Sequence, residues 1–182
     1  MTPESPDDCR LADEAAAMKC AYVHIPFCAR RCPYCDFAVD VGRDALAQRY
    51  ARAVIAEIRR EEPFPTLAAV HFGGGTPSRT EPGILAEILG ALGGRFGMLP
   101  NVQVALEANP EDLDAGTGRS LVSVGFNRIT LGAQSFDTDV LEMLGRLHQP
   151  ADTVAAVASA RRGGFPSIGV DLIFGTPGET VD

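Results

Sequence analysis

The chain has 182 residues, of which 46% are hydrophobic and 22% charged, and its 16 Lys and Arg against 24 Asp and Glu give a formal net charge of −8. This composition is typical of a single globular domain and excludes a disordered chain. We expect no membrane-spanning segment, because no run reaches roughly 18 apolar residues. The N-terminal residues do not have the pattern of an export signal. The negative net charge argues against non-specific nucleic-acid binding.

The cysteines indicate a reducing compartment. There are 5, an odd number, and three of them stand close together at Cys28, Cys32 and Cys35. A secreted disulfide framework usually has an even number of cysteines spread along the chain. We therefore expect free thiols and a cytoplasmic protein.

Hydrophobic periodicity predicts alternating strands and helices. Residues 1–20 are expected to form a disordered or loosely packed acidic segment, followed by one core domain over 21–182. In chain order the predicted elements are a strand over 21–25, a helix over 44–62, a strand over 67–72, a helix over 81–92, a strand over 102–107, a helix over 111–124, a strand over 127–132, helices over 138–147 and 151–162, and a strand over 168–174.

This order predicts the fold class. Alternating β and α elements with near-continuous apolar strands favour a parallel α/β sheet with helices outside it. A doubly wound sheet and a (β/α) barrel both fit. The chain stops soon after the last predicted strand, which would leave an exposed sheet edge, so we expect the core domain to be incomplete on its C-terminal side.

Three cysteines follow the first predicted strand at the spacing Cys28-x3-Cys32-x2-Cys35. Ligands collect at the C-terminal ends of strands in parallel α/β folds. Three thiolates can hold a four-iron cluster and leave one iron open for a substrate. Two alternatives stay open on spacing alone: a zinc site with His24 as its fourth ligand, and three buried thiols without a metal.

The neighbouring residues carry a resemblance. YVHIPFC and PYCDF, at 22–28 and 33–37, resemble the cluster loop of the radical S-adenosylmethionine (SAM) superfamily, and HFGGGTPS, at 71–78, is similar to its SAM-binding glycine motif. Further motifs follow in the family order: EANP at 107–110, NRITLGAQSF at 127–136, LGRLH at 144–148 and DLIFGTPG at 171–178. Together they resemble the oxygen-independent coproporphyrinogen III oxidase-like branch, and within it most closely the HemW-type haem chaperones.

The resemblance implies a partial (β/α) barrel of radical SAM type, with parallel strands inside, helices outside and a truncated C-terminal side. It implies a [4Fe-4S] cluster on Cys28, Cys32 and Cys35. It also implies that SAM or a second ligand contacts a further set of residues. These are Tyr22, Tyr34, Gly74, Gly75, Thr76, Glu107, Gln134, Arg146 and Asp171.

Several of these residues also have structural interpretations. The glycine run could form a tight strand-to-loop turn, Glu107 could be a solvated carboxylate at a strand end, and Arg146 could cap its own helix. Asp171 is harder to explain in this way, because it lies in an apolar strand where an unpaired carboxylate is costly.

The remaining histidines, cysteines and arginines are weaker candidates for the functional site. His71 and His148 are expected to be structural, because nothing pairs with them at metal-ligand spacing. Cys9 is expected to be exposed and Cys20 packed. The Arg30–Arg31 pair either offsets the negative charge of the thiolates or is merely solvated.

For function, the superfamily resemblance implies one-electron cleavage of SAM by a reduced cluster, which releases methionine and a 5′-deoxyadenosyl radical. Members of the oxidase branch carry a fourth cysteine two positions after the third, where this chain has Phe37. Its absence favours a haem chaperone, with haem or a related tetrapyrrole as cargo and haem-accepting proteins as partners. The alternative is an oxidase that converts two propionates to vinyl groups, so whether the protein is an enzyme stays open. The sequence does not indicate the oligomeric state.

Overall fold

The computed structural model describes residues 19–64 and 66–179. In chain order its elements are β1 (Lys19–Ile25), β2 (Phe27–Cys28), β3 (Asp40–Val41), α1 (Ala47–Arg60), β4 (Leu67–Gly74), α2 (Pro82–Phe96), β5 (Met98–Ala108), α3 (Ala115–Ser123), β6 (Arg128–Gln134), α4 (Thr138–Met143), α5 (Pro150–Gly163) and β7 (Ser167–Leu172). None of the described helices is long and apolar enough to cross a bilayer.

Five strands form one parallel sheet in the order β1-β4-β5-β6-β7. Each neighbour in the sheet follows in the sequence after a helical connection, as parallel pairing requires. Strands β2 and β3, which the sequence does not predict, form a separate two-stranded parallel pair. The predicted α/β class with a parallel sheet is confirmed.

The face of the sheet that packs against the helices is apolar. Side chains such as Phe72, Leu106 and Leu131 are fully buried in one core with residues of α1, α2, α3 and α5. Phe72 from β4 meets Phe126 edge-on at 5.1 Å between ring centroids. Burial of this face is the main stabilising contribution of the domain.

The opposite face of the sheet is polar. Successive strand residues point to opposite faces, so the residues between the core positions lie together on this side. They are Tyr22, His24, His71, Glu107, Arg128, Thr130 and Asp171. The prediction of near-continuous apolar strands is therefore wrong, because the described helices pack on one face of the sheet and the other face keeps polar side chains.

Three helix boundaries differ from the prediction by four residues each. The helix predicted from residue 111 begins at Ala115, since the preceding turn ends at Asp114, whose Oδ1 accepts a hydrogen bond from Thr117 N at 2.6 Å. The helix predicted over 138–147 ends at Met143, and Gly145 follows with φ of +67°. Helix α2 runs past its predicted end to Phe96.

The N-terminal boundary also moves. Lys19 and Cys20 form the start of β1, two residues before the predicted strand. Cys20 is exposed rather than packed, because it lies at the beginning of an edge strand. The rest of the predicted loose segment, with Cys9, lies outside the described residues.

Helices α3 and α5 cross at two glycines. A Cβ on Gly163 would lie 2.8 Å from the carbonyl carbon of Gly118, which is backbone and cannot move aside. We expect Gly163→Ala to lower the free energy of unfolding by about 1–3 kcal/mol through overpacking. Gly90→Ala in α2 is the matched control, because a Cβ there meets nothing within 4 Å, and it should raise stability by about 0.5–1 kcal/mol.

Urea denaturation of the two variants and the parent chain measures both effects. Equal stabilisation by the two alanines would show that the helix crossing tolerates a methyl group. It would contradict the proposed close contact.

Candidate functional site

A cavity of about 280 Å³ lies at the C-terminal ends of the strands. Its walls come from the loop between β2 and β3, from the segment Gly74–Thr76 at the end of β4 (the glycine segment), and from the ends of β5, β6 and β7. All predicted site residues except Tyr22 line it; they are Cys28, Cys32, Tyr34, Cys35, Gly74, Gly75, Thr76, Glu107, Gln134, Arg146 and Asp171. The fold therefore brings together residues that are up to 143 positions apart, from Cys28 to Asp171.

The cysteine loop is held at its base by backbone hydrogen bonds. Cys28 O accepts from Gly42 N at 3.1 Å, and Asp40 N donates to Pro26 O at 2.8 Å. Within the loop, Cys35 N donates to Cys32 O at 3.0 Å, which closes a turn between the second and third cysteines. All three cysteines consequently line the same cavity.

The three thiols are electrostatically coupled. Burial raises the pKa of the Cys28 thiol, a hydrogen bond with Thr76 at 3.5 Å opposes this, and the neighbouring Cys35 and Cys32 raise the pKa further. Thiolates that repel one another in this way gain from a bound cation or metal cluster.

The donor set fits an iron–sulfur cluster better than zinc. In the described part of the chain, no three His, Cys, Asp or Glu side chains converge as ligands of a single metal ion, whereas a four-iron cluster takes one thiolate at each of several irons. His24, the candidate fourth zinc ligand, is engaged elsewhere, since its Nε2 lies 2.8 Å from Ala38 O.

The glycine segment lies directly against the chain that leads into the cysteine loop. Gly75 N donates to Ile25 O at 2.7 Å, and Thr76 N donates to Phe27 O at 2.8 Å. A Cβ on Gly75 would lie 2.7 Å from the carbonyl group of Pro26. Tight backbone packing therefore requires glycine at this position, whether or not a ligand also approaches it.

Arg146 extends into the cavity and does not cap its own helix, so that alternative is wrong. Its Nη2 donates to Asn109 Oδ1 at 2.6 Å and to Gly132 O at 3.0 Å, and its Nη1 lies 3.8 Å from Cys32 Sγ. This guanidinium places a positive charge beside Cys32.

Asn109 connects this arginine to the glycine segment, because its Nδ2 donates to Thr76 Oγ1 at 3.3 Å. It is not among the site residues predicted from the sequence. The available signal was its position at the end of β5, within the EANP motif that also contains Glu107.

The segment after α4 docks onto the cysteine loop. A Cβ on Gly145 would lie 2.7 Å from Pro33 Cδ, so this glycine lets the segment approach closely enough for Arg146 to reach Cys32. His148 is buried beneath it, with Nε2 2.9 Å from Ala133 O. Its Nδ1 lies 3.4 Å from Glu111, and this agrees with the structural role expected of His148.

Glu111 shows the effect of that contact. Burial raises the pKa of its carboxyl group, but the contact with His148, a backbone hydrogen bond and the charge of Arg146 together bring the pKa below its usual value. Glu111 therefore stays ionised in the cavity wall.

Glu107 is not simply a solvated carboxylate. Its Oε1 accepts from His71 Nε2 at 2.8 Å, and its Oε2 accepts from Gly74 N at 3.3 Å. Tyr22, the predicted residue outside the cavity lining, stacks on His71 with 5.7 Å between ring centroids. It thus lies beside the site on the polar face of the sheet.

Asp171 lies in β7 as expected, but β7 is at one edge of the described sheet and Asp171 is exposed there, so the expected cost of an unpaired carboxylate in an apolar strand does not arise among the described residues. Burial and the charge of Glu107 raise the pKa of Asp171. Gln134 has φ of +67°, the one positive value at a non-glycine residue in the described chain. Such backbone strain clusters at functional sites.

The two loop arginines differ. Arg31 donates from Nη2 to Phe37 O at 2.9 Å and stays exposed. Arg30 Nη2 is buried without a hydrogen-bond partner among the described residues. A buried guanidinium nitrogen on a half-buried residue that lines the cavity argues against the interpretation of a merely solvated pair.

Comparison with known proteins agrees with this geometry. The profile of the Radical SAM superfamily matches residues 22–182. The chain belongs to the radical SAM superfamily. Membership implies a [4Fe-4S] cluster and SAM as its cofactors.

Individual relatives come from two groups. The haem chaperone HemW of Bacillus subtilis is 35% identical over 168 residues, covering 90% of this chain and 44% of the relative. An oxygen-independent coproporphyrinogen III oxidase of Bradyrhizobium diazoefficiens is 36% identical over 176 residues, covering 92% and 38%. The solved structure of coproporphyrinogen III oxidase HemN from Escherichia coli superposes with a TM-score of 0.78 at 28% identity, covering 90% and 38%.

The superposition on HemN confirms the predicted radical SAM fold. The chain spans less than half the length of these relatives. The described residues therefore correspond to one part of the radical SAM proteins it matches.

An ion-pair cluster supports the radical SAM site from outside. Arg79, next to the glycine segment, donates to Asp44 from Nε at 3.1 Å and from Nη2 at 3.0 Å, and its Nη1 lies 3.7 Å from Asp112. Hydrogen bonding from Arg79 holds the pKa of Asp44 below its usual value. The pair links the start of α1 to the turn after β4.

Asp44→Asn should lower the free energy of unfolding by about 0.5–1 kcal/mol at neutral pH, as expected for a half-exposed pair. Because folding depresses the pKa of Asp44, its stabilisation is full above the ordinary aspartate pKa and is lost as the pH falls through the folded-state value. The difference between parent and variant should therefore shrink below about pH 4.

Asp40→Asn is the control, since the pair between Asp40 and Arg43 is more exposed, at 44% and 65% of their side chains. It should change stability little at any pH. Denaturation curves at pH 7, 5 and 3 measure both variants. A loss in Asp44→Asn that persists unchanged at pH 3 would assign the effect to packing rather than charge.

Proposed function

We propose that Cys28, Cys32 and Cys35 hold a [4Fe-4S] cluster and that SAM binds beside it in the cavity. Three observations support this assignment: the three cysteines line one cavity, Arg146 lies 3.8 Å from Cys32 Sγ, and the glycine segment borders the same space. When bound, the cluster supplies the electron for reductive cleavage of SAM.

The protein residues would bind and orient SAM. The backbone of Gly74–Thr76 offers polar groups to its methionine end, and Glu107 accepts hydrogen bonds from the ribose hydroxyls. Arg146 compensates negative charge near Cys32, while Gln134 and Asp171 line the rest of the cavity and Tyr34 faces the ligand. Tyr22 contributes from the polar face beside Glu107.

Replacing each cluster cysteine by alanine should abolish stable cluster binding, because a cluster missing one of three thiolates loses a covalent anchor. The measurement is bound iron and acid-labile sulfide after anaerobic reconstitution. Cys20→Ala is the matched control: Cys20 is exposed and lies outside the cavity, so this variant should keep the parent iron content. Full iron content in the triple Cys28, Cys32 and Cys35 variant would refute the assignment.

We further propose that the whole protein is a haem chaperone that binds haem and transfers it to target haem proteins. Phe37 carries this proposal. It stands where the oxidase branch has a fourth cysteine, lines the cavity, and is 60% exposed. The free thiols among the described cysteines support a cytoplasmic location.

The second candidate is an oxygen-independent coproporphyrinogen III oxidase. The 36% identity with a relative of that name, against 35% with a HemW, favours neither candidate over the other. Sequence identity over this part of the chain does not separate the two candidate functions, so the distinction between them has to come from the residues that line the cavity.

The deciding experiment is anaerobic turnover by the complete, cluster-loaded protein with coproporphyrinogen III, SAM and a reductant. We expect no decarboxylated product by mass spectrometry, and saturable haem binding in an absorbance titration. An oxidase of the coproporphyrinogen branch, assayed in parallel, is the positive control. Decarboxylated product would overturn the chaperone proposal and show that Phe37 does not disable oxidase chemistry.

A further inference from the structure

Three side chains on the polar face of the sheet form a connected group beside the cavity. They come from three adjacent strands: Tyr22 on β1, His71 on β4 and Glu107 on β5. The strand register places Tyr22 opposite His71 and His71 opposite Ala105, two residues before Glu107. The group is built by strand pairing, so it does not depend on a mobile loop.

His71 provides the shorter hydrogen bond to the carboxylate. The distance from His71 Nε2 to Glu107 Oε1 is 2.8 Å, whereas Gly74 N reaches Oε2 at 3.3 Å. Since a carboxylate can only accept, Nε2 carries the hydrogen. The imidazole therefore fixes one oxygen and leaves the other turned towards the glycine segment.

The imidazole is itself held in place. The ring of Tyr22 stacks on it with an interplanar angle of 18°. Gly73 leaves the space that the group occupies, because a Cβ there would lie 2.9 Å from both Glu107 Oε1 and the Tyr22 hydroxyl. A side chain at position 73 would therefore displace the Glu107 carboxylate or the Tyr22 hydroxyl, and glycine lets the group keep this arrangement.

We propose that His71 is a positioning residue that orients Glu107 for the ribose hydroxyls of SAM. This rests on the SAM site proposed above and adds to it a residue that does not line the cavity. From the sequence, His71 is expected to be structural. The geometry assigns it a more specific task, because its polar contact is with the carboxylate that faces the ligand.

Two substitutions test separately the contributions of the His71 ring and of its hydrogen bond to Glu107. His71→Phe keeps an aromatic ring for Tyr22 but removes the donor, and His71→Gln keeps an N–H within reach of Glu107 but removes the ring. We expect His71→Phe to weaken SAM binding about tenfold, the effect of losing a hydrogen bond to a charged group. His71→Gln should stay within about threefold of the parent.

A double-mutant cycle with Glu107→Gln tests whether His71 acts through Glu107. If it does, His71→Phe combined with Glu107→Gln should bind SAM as Glu107→Gln does alone. The measurement is equilibrium dialysis of SAM against anaerobically reconstituted protein. Iron and sulfide contents are determined for each variant to establish that the cluster is intact.

Each outcome has a distinct meaning. SAM binding by His71→Phe at parent affinity, or additive losses in the double variant, would overturn the positioning role. If His71→Phe loses its cluster, His71→Gln decides: parent affinity supports the role, and a tenfold loss with intact cluster overturns it. Failure of the parent itself to bind SAM would refute the proposed function instead, and an unaffected Glu107→Gln would refute the ribose role of Glu107 together with this inference.

Discussion

The close contact between the glycine segment and the end of β1 determines where the other parts of the site lie. Pro26 interrupts β1, yet the chain continues to pair with the segment after β4, through Gly75 N to Ile25 O and Thr76 N to Phe27 O. No side chain fits between these backbones, since a Cβ on Gly75 would meet Pro26 at 2.7 Å. The cysteine loop therefore begins at a fixed distance from the strand ends that border the cavity.

From this contact a chain of polar interactions runs across the cavity. Thr76 reaches both Cys28 and Asn109, and Asn109 in turn accepts from Arg146, whose guanidinium lies beside Cys32. Arg146 and Arg30 both line the cavity together with the three cysteines, so positive charge collects there in a chain whose net charge is −8. Local compensation of this kind lets several thiolates coexist in a half-buried loop.

The sequence predicts the order and type of the main elements because hydrophobic periodicity and Pro or Gly breaks are local signals. It fails where the deciding contact is distant. The approach of Gly145 to Pro33, 112 positions away, which brings the segment after α4 onto the cysteine loop, has no signal in the sequence around either residue. The polar face of the sheet does have a local signal in β6, where Arg128 and Thr130 alternate with the buried Ile129 and Leu131. The expectation of near-continuous apolar strands overlooked this period of two.

The candidate site shows the same difference between features with a local sequence signal and features that depend on distant contacts. Residues in recognisable motifs, such as the three cysteines and Glu107, could be assigned to one site by motif resemblance. The contacts of Asn109, of His71 and of the pair of Glu111 with His148 could not be predicted, because each acts through a partner on another strand or turn. A motif specifies the residues that face a ligand more readily than the residues that hold them.

A haem chaperone and a coproporphyrinogen oxidase differ in what the cavity must do after SAM has bound, and most of the cavity wall serves both equally. The proposed cofactor-binding positions, which are glycine, carboxylate and cysteine residues, would be the same in either case, so they carry no information about the choice. Phe37 is different, because it lines the cavity within the cysteine loop and replaces a sulfur by an apolar ring. A phenyl ring cannot ligate a metal or carry a proton, but its exposed face can contact a flat apolar ligand. At this position the cavity therefore has an apolar binding surface in place of a thiol, and this is the change that the proposed transport of a tetrapyrrole, rather than its oxidation, would require.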